Sequence, residues 1–266
     1  MRLDGLTIQL CFGWRDNVTL IEYTSNQNLS STINLPSDGL LRGTGSKQIT
    51  ITSTANPIIS IGSNFDSEFT RSALIENLII VGNGSNIGIL LQNVIHCKIR
   101  NLTIVNCDTG IKLTATGTNW TEANEIEHVR IKDVNKGIQF APGGSPDNSR
   151  AFTYINDVGI SLNNTANLRG IEIGTGCRIY SSFIKANVWS SQACDGMWID
   201  GLVNLCLINL NHEKTTTGKG GTGVHIVTNG TVCNNQSFFL SSGNMQNNRW
   251  VYDQSGRGHD IVEKHY

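Results

Sequence analysis

The chain has 266 residues, of which 38% are hydrophobic, only 15% are charged and 28 are glycine. This composition is typical of a folded, turn-rich chain and excludes a disordered one. The formal net charge is −1 and the charges form no basic stripe, so neither a nucleic acid nor an anionic membrane is expected as a partner. No apolar run approaches the roughly 18 residues of a membrane-spanning helix, and no linker divides the chain, which favours one elongated domain.

The N-terminal residues show only short apolar stretches, at 6–10 and 18–21, and no basic region followed by an apolar run. No secretion signal is therefore expected. Residues 1–28 are predicted to form an N-terminal cap or docking segment, and residues 29–266 the body. The seven cysteines include no CxxC pair and mostly lie in apolar stretches, which predicts buried thiols in a chain that folds in a reducing cytoplasm.

A short repeat runs through the body of the chain. The unit [Asn/Asp]-x-Gly-Ile-x-[Leu/Phe] occurs at residues 86–91, 108–113, 135–140 and 157–162. Degenerate copies follow at Gly170, Gly196 and Gly223, and the glycines are mostly 22 to 27 residues apart. A second strand precedes the copies, as at 75–80, 99–104 and 126–131. Each repeat is thus predicted to contain two or three strands and their turns.

These strands are too short for a helical face, and their apolar residues alternate with a period of two. So small a unit cannot bury its own apolar side and must stack on its neighbours. The sequence therefore predicts an all-β fold, a right-handed parallel β-helix built as a single-stranded solenoid of about ten coils, roughly 50 Å long at about 4.8 Å per coil. A leucine-rich horseshoe is disfavoured because β-branched residues dominate.

The Asn/Asp-x-Gly step of the repeat suits a bend between strands. Glycine tolerates a positive φ, and a short Asn or Asp side chain can hydrogen-bond the backbone of the turn. Stacked coils would then place these polar side chains above one another in a structural ladder formed by Asn86, Asp108, Asn135 and Asp157.

The segment 29–45, which contains Leu35-Pro36 and the Leu41-Arg42-Gly43-Thr44-Gly45 turn, resembles the first coils of the pectate-lyase-like superfamily, including bacteriophage tailspikes and other virion β-helices. The resemblance covers residues 29–262. It implies the β-helix fold, but that superfamily holds lyases, hydrolases, epimerases and non-catalytic virion parts. The Asp-Asp-Thr-x-Ala segment typical of the family is absent, and so are its clustered calcium-binding and catalytic carboxylates. Arg130-Ile131-Lys132 is interpreted as an ordinary strand.

The outward positions of the repeat form a candidate binding face, which the sequence places at Leu90, Lys112, Gln139, Ser161, Glu172, Trp198 and His225. One carboxylate in this row disfavours a catalytic pair. Lys112, Gln139 and Trp198 could bind a glycan, because an aromatic ring beside amide and charged groups suits a sugar. The alternative is an ordinary solvated face.

Two insertions, 114–124 and 141–150, are expected to emerge side by side from consecutive coils. They carry Trp120, Glu122, Asp147 and Arg150, and could be plain loops, a subunit interface or a glycan site. If the chain is an enzyme, Glu122 and Asp147 are the predicted acid and base, since a glycosidase needs two carboxylates about 5 to 10 Å apart. No histidine or cysteine spacing predicts a metal site, and no cofactor is expected.

Two classes of function remain open. The preferred one is a non-catalytic virion component of tailspike, fibre or capsid-decorating type, assembled in a host cytoplasm, which self-associates and binds other virion proteins or a polysaccharide. A homotrimer is expected by analogy with that family. The alternative is an extracellular polysaccharide lyase or glycoside hydrolase of the same superfamily.

Overall fold

The computed structural model describes residues 2–3, 6–12, 17–45, 47–62, 70–117, 119–143, 149–162, 168–214, 222–233, 236–241, 251–255 and 261–264. Within these residues the secondary structure is entirely β, and no helix could cross a membrane. The strands stack coil upon coil, and nearly all neighbouring strands pair in parallel. The predicted all-β parallel solenoid is therefore confirmed.

Three groups of strands form the faces of the solenoid. The first sheet contains β1 (Arg2–Leu3), β2 (Leu6–Phe12), β3 (Asn17–Tyr23), β4 (Gln27–Leu29), β6 (Leu40–Gly43), β7 (Ile49–Ser53), β10 (Leu74–Val81), β13 (Lys98–Val105), β15 (Glu125–Val134), β17 (Tyr154–Leu162), β20 (Phe183–Ser190), β23 (Leu207–Lys214), β26 (Gln236–Ser241) and β28 (Ile261–Lys264). The second sheet contains β5 (Ile33–Leu35), β8 (Ile59–Ile61), β11 (Ile87–Gln92), β14 (Thr109–Thr114), β16 (Lys136–Phe140), β18 (Leu168–Ile173), β21 (Cys194–Ile199), β24 (Thr222–Ile226) and β27 (Val251–Asp253). The third face contains β9 (Thr70–Arg71), β12 (Val94–Ile95), β19 (Arg178–Tyr180), β22 (Leu202–Asn204) and β25 (Thr231–Cys233).

The second sheet stacks nine strands in this part of the chain, so the described residues form fewer coils than the ten or so predicted, and the right-handed winding stays a prediction. The third face consists of two short sheets joined by bridges from Ile95 to Glu122 and from Ser149 to Arg178. Each coil thus runs through three faces.

The N-terminal strands extend the first sheet. β1 pairs with β2, and β2 with β3, in antiparallel fashion. β3 lies before residue 29 and β4 ends at it, yet they pair in parallel with β6 and β7. The parallel stack therefore begins inside the segment that the sequence assigned to a cap.

The core is a set of aliphatic columns along the solenoid axis. One column joins Leu41, Ile75, Ile99, Ile126, Ile155, Ile184 and Ile208, which are in register on neighbouring strands and have no exposed surface. Burial of such a side chain stabilises the fold by about 1.5 to 3 kcal/mol. The period of two in the sequence arises from these columns, because every second residue faces the core.

The cysteines that the structure describes behave as the sequence predicted. Cys97, Cys107, Cys177, Cys194 and Cys206 are buried and free. Burial raises the pKa of the Cys97 and Cys107 thiols to about 12. These thiols therefore stay protonated at neutral pH and act as small apolar groups in the core.

The glycines of the repeat are required for a reason other than the predicted one. None of Gly88, Gly110, Gly137, Gly170 and Gly196 has a positive φ. A Cβ on any of them would lie 2.5 to 2.7 Å from the carbonyl oxygen of the corresponding glycine in the next coil. Glycine is therefore needed because adjacent coils approach too closely for a side chain.

Of the predicted Asn/Asp ladder, only Asn135 and Asp108 bond each other through their side chains, and Asn86 reaches Asp108 through the backbone alone. Asn135 donates its side-chain amide to Asp108 Oδ1 at 2.9 Å, and the Asp108 backbone N–H donates to the Asn86 carbonyl at 2.9 Å. Asp157 lies instead within β17 of the first sheet, where its φ is 50° and its carboxylate accepts from Arg130. Its neighbours in that column are Asn77, Asn101 and His128, which share the positive φ. Asp157 thus marks a bend in the long strands.

Candidate functional site

Chemically active side chains concentrate on the outer face of the second sheet, which we call the second-sheet surface. One row of outward residues is in register on consecutive strands from β14 to β27, and consists of Lys112, Gln139, Glu172, Trp198, His225 and Tyr252. A neighbouring row consists of Lys136, Arg169, Asp195 and Thr222. Gln254, just beyond β27, completes the surface. The strands orient these side chains outward because the residues between them, such as Ile171 and Ile173, are buried in the core.

Glu172 anchors a cluster of donors on this surface. Its side chain is only 8% exposed. Gln139 Nε2 donates to Oε1 at 3.0 Å, while Arg169 Nη1 and Lys136 Nζ reach Oε2 at 2.8 and 3.0 Å. Burial alone would raise the pKa of Glu172, but the hydrogen bonds from Gln139 and Arg169 and the two positive charges lower it. The carboxylate is therefore charged, and it fixes the position of two cations and an amide.

Planar groups continue the surface along the solenoid axis. The guanidinium carbon of Arg169 lies 3.8 Å from the centroid of the Trp198 ring. The His225 ring meets Trp198 edge-on with a centroid distance of 4.5 Å, and Tyr252 follows at 4.9 Å from His225. Cation–π and edge-to-face contacts of this kind order the rings, so the row is held in place before any ligand arrives.

Asp195 and His225 form a partly buried pair at the same place. His225 Nδ1 lies 3.3 Å from Asp195 Oδ2, and His225 Nε2 lies 3.2 Å from Gln254 Oε1. Burial raises the pKa of Asp195, and the interaction with His225 offsets that only in part. A carboxylate that orients an imidazole is an arrangement suited to binding a polar ligand and also to acid–base chemistry.

The structure corrects two parts of the row that the sequence predicted. Ser161 lies in β17, opposite Lys132 and Trp189 of the first sheet, and so does not belong to the second-sheet surface. The row also has a second carboxylate close by, Asp195, which the sequence did not count. Lys136, Arg169 and Asp195 all occupy the variable position before the repeat glycine, and this position was the signal by which they could have been found.

The two insertions do lie side by side at their ends. Ala123 N–H donates to the Ala151 carbonyl at 3.0 Å, and Thr114 Oγ1 donates to the Pro142 carbonyl at 3.0 Å. Trp120 is 40% exposed. Glu122 accepts a hydrogen bond from the Ser149 hydroxyl. Asp147 lies outside the described residues, so the Glu122 and Asp147 pair stays a prediction.

Arg150 differs from the expected exposed loop residue. Its side chain has no exposed surface, and it donates to the carbonyls of Ser149, Ala141 and Gly143 at 2.6, 2.9 and 3.0 Å. The guanidinium therefore satisfies backbone groups at the base of the insertion. A fully buried side chain cannot contact a glycan or a neighbouring subunit, and Arg150 is a structural residue of the loop.

No metal centre is apparent in the parts of the chain that the structure describes, where no three His, Cys, Asp or Glu side chains converge on one point. The second-sheet surface itself presents rings, amides, cations and two carboxylates. Such a surface can make many simultaneous polar and apolar contacts with an extended ligand.

Comparison with known proteins adds little about function. No protein-family model matches the chain, and no curated protein sequence matches it either. The solved structure of ORF18 of Geobacillus virus E2 is similar to 98% of this chain, with 14% identity and a TM-score of 0.42, and this chain spans 55% of the length of that protein. The structure of an alginate lyase from Paenibacillus sp. strain FPU-7 is similar to 93% of this chain and 90% of the lyase, with 11% identity and a TM-score of 0.33.

Proposed function

We propose that this protein is a non-catalytic β-solenoid that binds a surface polysaccharide along the second-sheet surface, and that it serves as a virion component of tailspike, fibre or capsid-decorating type. The observation that carries the binding proposal is the row of ring, amide and charged side chains in register from Lys112 to Tyr252. The virion role rests on the resemblance of residues 29–45 to virion β-helices.

A polysaccharide suits this surface in two respects. Trp198 and Tyr252 each combine an apolar ring with a polar edge, while Gln139, Lys136 and Asp195 offer donors and acceptors for hydroxyl groups. The side chains recur once per coil, at about 4.8 Å along the axis. A chain of sugars lying along the axis would meet one group of the protein after another, whereas a single sugar would meet only a few.

The non-catalytic part of the proposal is supported by the state of Glu172. Both of its oxygens are engaged by cations and an amide, and its lowered pKa makes it a poor proton donor. Glu172 therefore resembles a counter-ion for Lys136 and Arg169 rather than a general acid. Binding therefore accounts for this cluster better than glycoside hydrolysis does.

One observation favours the alternative of a polysaccharide lyase or hydrolase. Asp195, with its raised pKa, lies 3.3 Å from His225, and Arg169 and Tyr252 lie close to that pair. An oriented imidazole can remove or deliver a proton. If this alternative holds, the wild-type chain cleaves a glycan, and Asp195→Asn loses that activity while retaining its fold.

A panel of bacterial surface and capsular polysaccharides tests the proposal. We expect the wild-type protein to bind at least one member of the panel, because the second-sheet surface is already ordered. We also expect no new reducing ends and no unsaturated products after prolonged incubation. Binding is measured by interferometry on immobilised polysaccharide, with Trp198→Ala as the matched negative control. Cleavage by the wild type that disappears in Asp195→Asn would contradict the non-catalytic proposal and support the lyase or hydrolase alternative. Absence of binding to every polysaccharide of the panel would contradict the glycan-binding proposal.

Self-association is part of the same proposal. We expect a stable homo-oligomer, a trimer by analogy with virion β-helices, whose mass is measured by light scattering across micromolar concentrations. The further partners would be other virion proteins. A protein that remains monomeric throughout this range contradicts the assembled virion role but leaves the glycan-binding proposal standing.

A further inference from the structure

A patch of exposed apolar side chains lies where the third face turns into the first sheet. Phe152 is 59% exposed, Leu205 53%, Leu207 39% and Tyr154 37%, and Phe183 lies between them. We call this patch the apolar corner. It holds four of the six large hydrophobic side chains that are exposed among the described residues; the other two are Trp120 and Trp189.

The corner is a continuous ridge parallel to the solenoid axis. Tyr154, Phe183 and Leu207 are in register on β17, β20 and β23. The rings of Tyr154 and Phe183 stack with centroids 5.0 Å apart, close to the coil spacing. Phe152 and Leu205 occupy the preceding turn in the first and last of the same three coils, with Ser181 between them.

The backbone at the corner makes these residue types hard to explain by folding alone. Phe152 and Leu205 both have a φ of 53°, in the left-handed region that favours glycine and disfavours bulky side chains. The corresponding residues of other coils are His96, Ala123 and Ser181, which share the positive φ. The turn therefore tolerates small or polar residues. A large apolar side chain there costs conformational free energy, and more than half of it stays exposed within one chain.

The charge pattern indicates the kind of partner. The two coils that precede the corner carry Lys98 and Glu125 at the positions in register with Tyr154. Lys98 Nζ lies 2.7 Å from Glu125 Oε2, so the two residues form an ion pair. At the corner positions themselves the outward side chains are Phe, Tyr, Leu and Ser, and the next outward residue after Phe183 is the exposed Lys185. A partner at this place must itself be apolar. Because the ridge repeats at the coil spacing, the surface that matches it side chain for side chain is another ridge of the same spacing.

We propose that the apolar corner is the surface through which the protein self-associates, and that the same corners of neighbouring copies pack against one another in the homo-oligomer; this inference rests on the self-association proposed above. Exposed apolar patches of a few hundred Å² commonly mark interaction sites. A stable interface needs about 800 Å² per partner, so the corner forms the apolar centre and the neighbouring polar residues form the rim. The proposal does not depend on glycan binding, because the corner and the second-sheet surface are built from different sheets.

The test uses substitutions that affect assembly and folding in opposite directions. We expect the double variant Phe152→Gly, Leu205→Gly to weaken self-association by about tenfold or more, since it removes the centre of the contact. The same variant should unfold at an equal or higher urea concentration, because glycine suits a positive φ. Association is measured by sedimentation velocity of the full chain. Trp189→Ala, which removes an exposed aromatic side chain elsewhere on the first sheet, is the control and should assemble like the wild type.

A second substitution keeps the test decisive if the double variant folds poorly. Leu205→Lys changes one exposed residue and places like charges at the contact, so we expect it to sediment as a monomer at low salt. A wild-type protein that is monomeric throughout overturns the proposal. An oligomer that survives Leu205→Lys, or one that Trp120→Ala dissociates while the corner variants do not, overturns it as well.

Discussion

Replacing Trp198 by alanine is expected to weaken polysaccharide binding by roughly 30-fold, the effect of losing an interaction of about 2 kcal/mol at a binding hot spot. Two contributions are lost together. The ring itself no longer contacts the ligand, and it no longer supports the Arg169 guanidinium, which lies 3.8 Å from its centroid. The measurement is the dissociation constant of the variant for the polysaccharide that the wild type binds most tightly.

The matched control for this prediction is Trp189→Ala. Trp189 is 39% exposed and lies on the first sheet, away from the second-sheet surface. Its loss should leave binding unchanged. Equal losses of affinity in the two variants would show a nonspecific effect, and an unchanged affinity in Trp198→Ala would place the ligand elsewhere.

Gly137→Ala is expected to destabilise the solenoid by roughly 1 to 3 kcal/mol, as overpacking of a tight contact does. The added Cβ would lie 2.5 Å from the Gly170 carbonyl oxygen and 2.6 Å from Ile160 Cγ2, so two coils would have to separate. The backbone φ of Gly137 is not positive, so steric contact between coils is the whole of the expected effect. Urea denaturation followed by circular dichroism measures the change in the free energy of unfolding.

Gly159→Ala is the control for that prediction. Gly159 belongs to the same sequence motif but lies in the first sheet, where the three atoms nearest to an added Cβ all belong to the Arg130 side chain, with Cδ 3.0 Å away. That side chain is 49% exposed and can move aside. The change in stability should stay within about 0.5 kcal/mol. A loss as large as that of Gly137→Ala would contradict the close-approach explanation of the repeat glycines.

The fold was predictable from the sequence because each coil repeats the same requirement, an aliphatic side chain at every second position that faces the core. Ile75, Ile99 and Ile126 occupy equivalent positions in the core, and the period of two that they create is visible without a structure. The copy at 157–162 was assigned to the wrong sheet because both sheets require β-branched residues facing inward. The spacing held the distinguishing signal: Gly170 follows Gly159 by only 11 residues, too few for a full coil.

The candidate site was predictable only in part. The alternation of inward and outward residues predicted the outward positions of Lys112, Gln139 and Trp198, because each stands between two inward residues of the repeat. The position before the repeat glycine indicates Lys136 and Arg169, but their shared contact with Glu172 joins two coils and depends on the stacking of those coils. Arg150 shows the same limit. An arginine in a Gly/Pro-rich insertion is expected to be exposed, and the contacts of Arg150 with the Ala141 and Gly143 carbonyls are not evident from the sequence.

Locating a bound polysaccharide on the wild-type chain tests the central claim most directly. Hydroxyl-radical footprinting with and without the polysaccharide reports the protection of individual side chains. We predict protection of Trp198, His225 and Tyr252, which are in register on the second-sheet surface, and no protection of Trp189 on the first sheet or Trp120 on the insertion. Protection of Trp120 with none at Trp198 would contradict the account and move the binding site to the insertions.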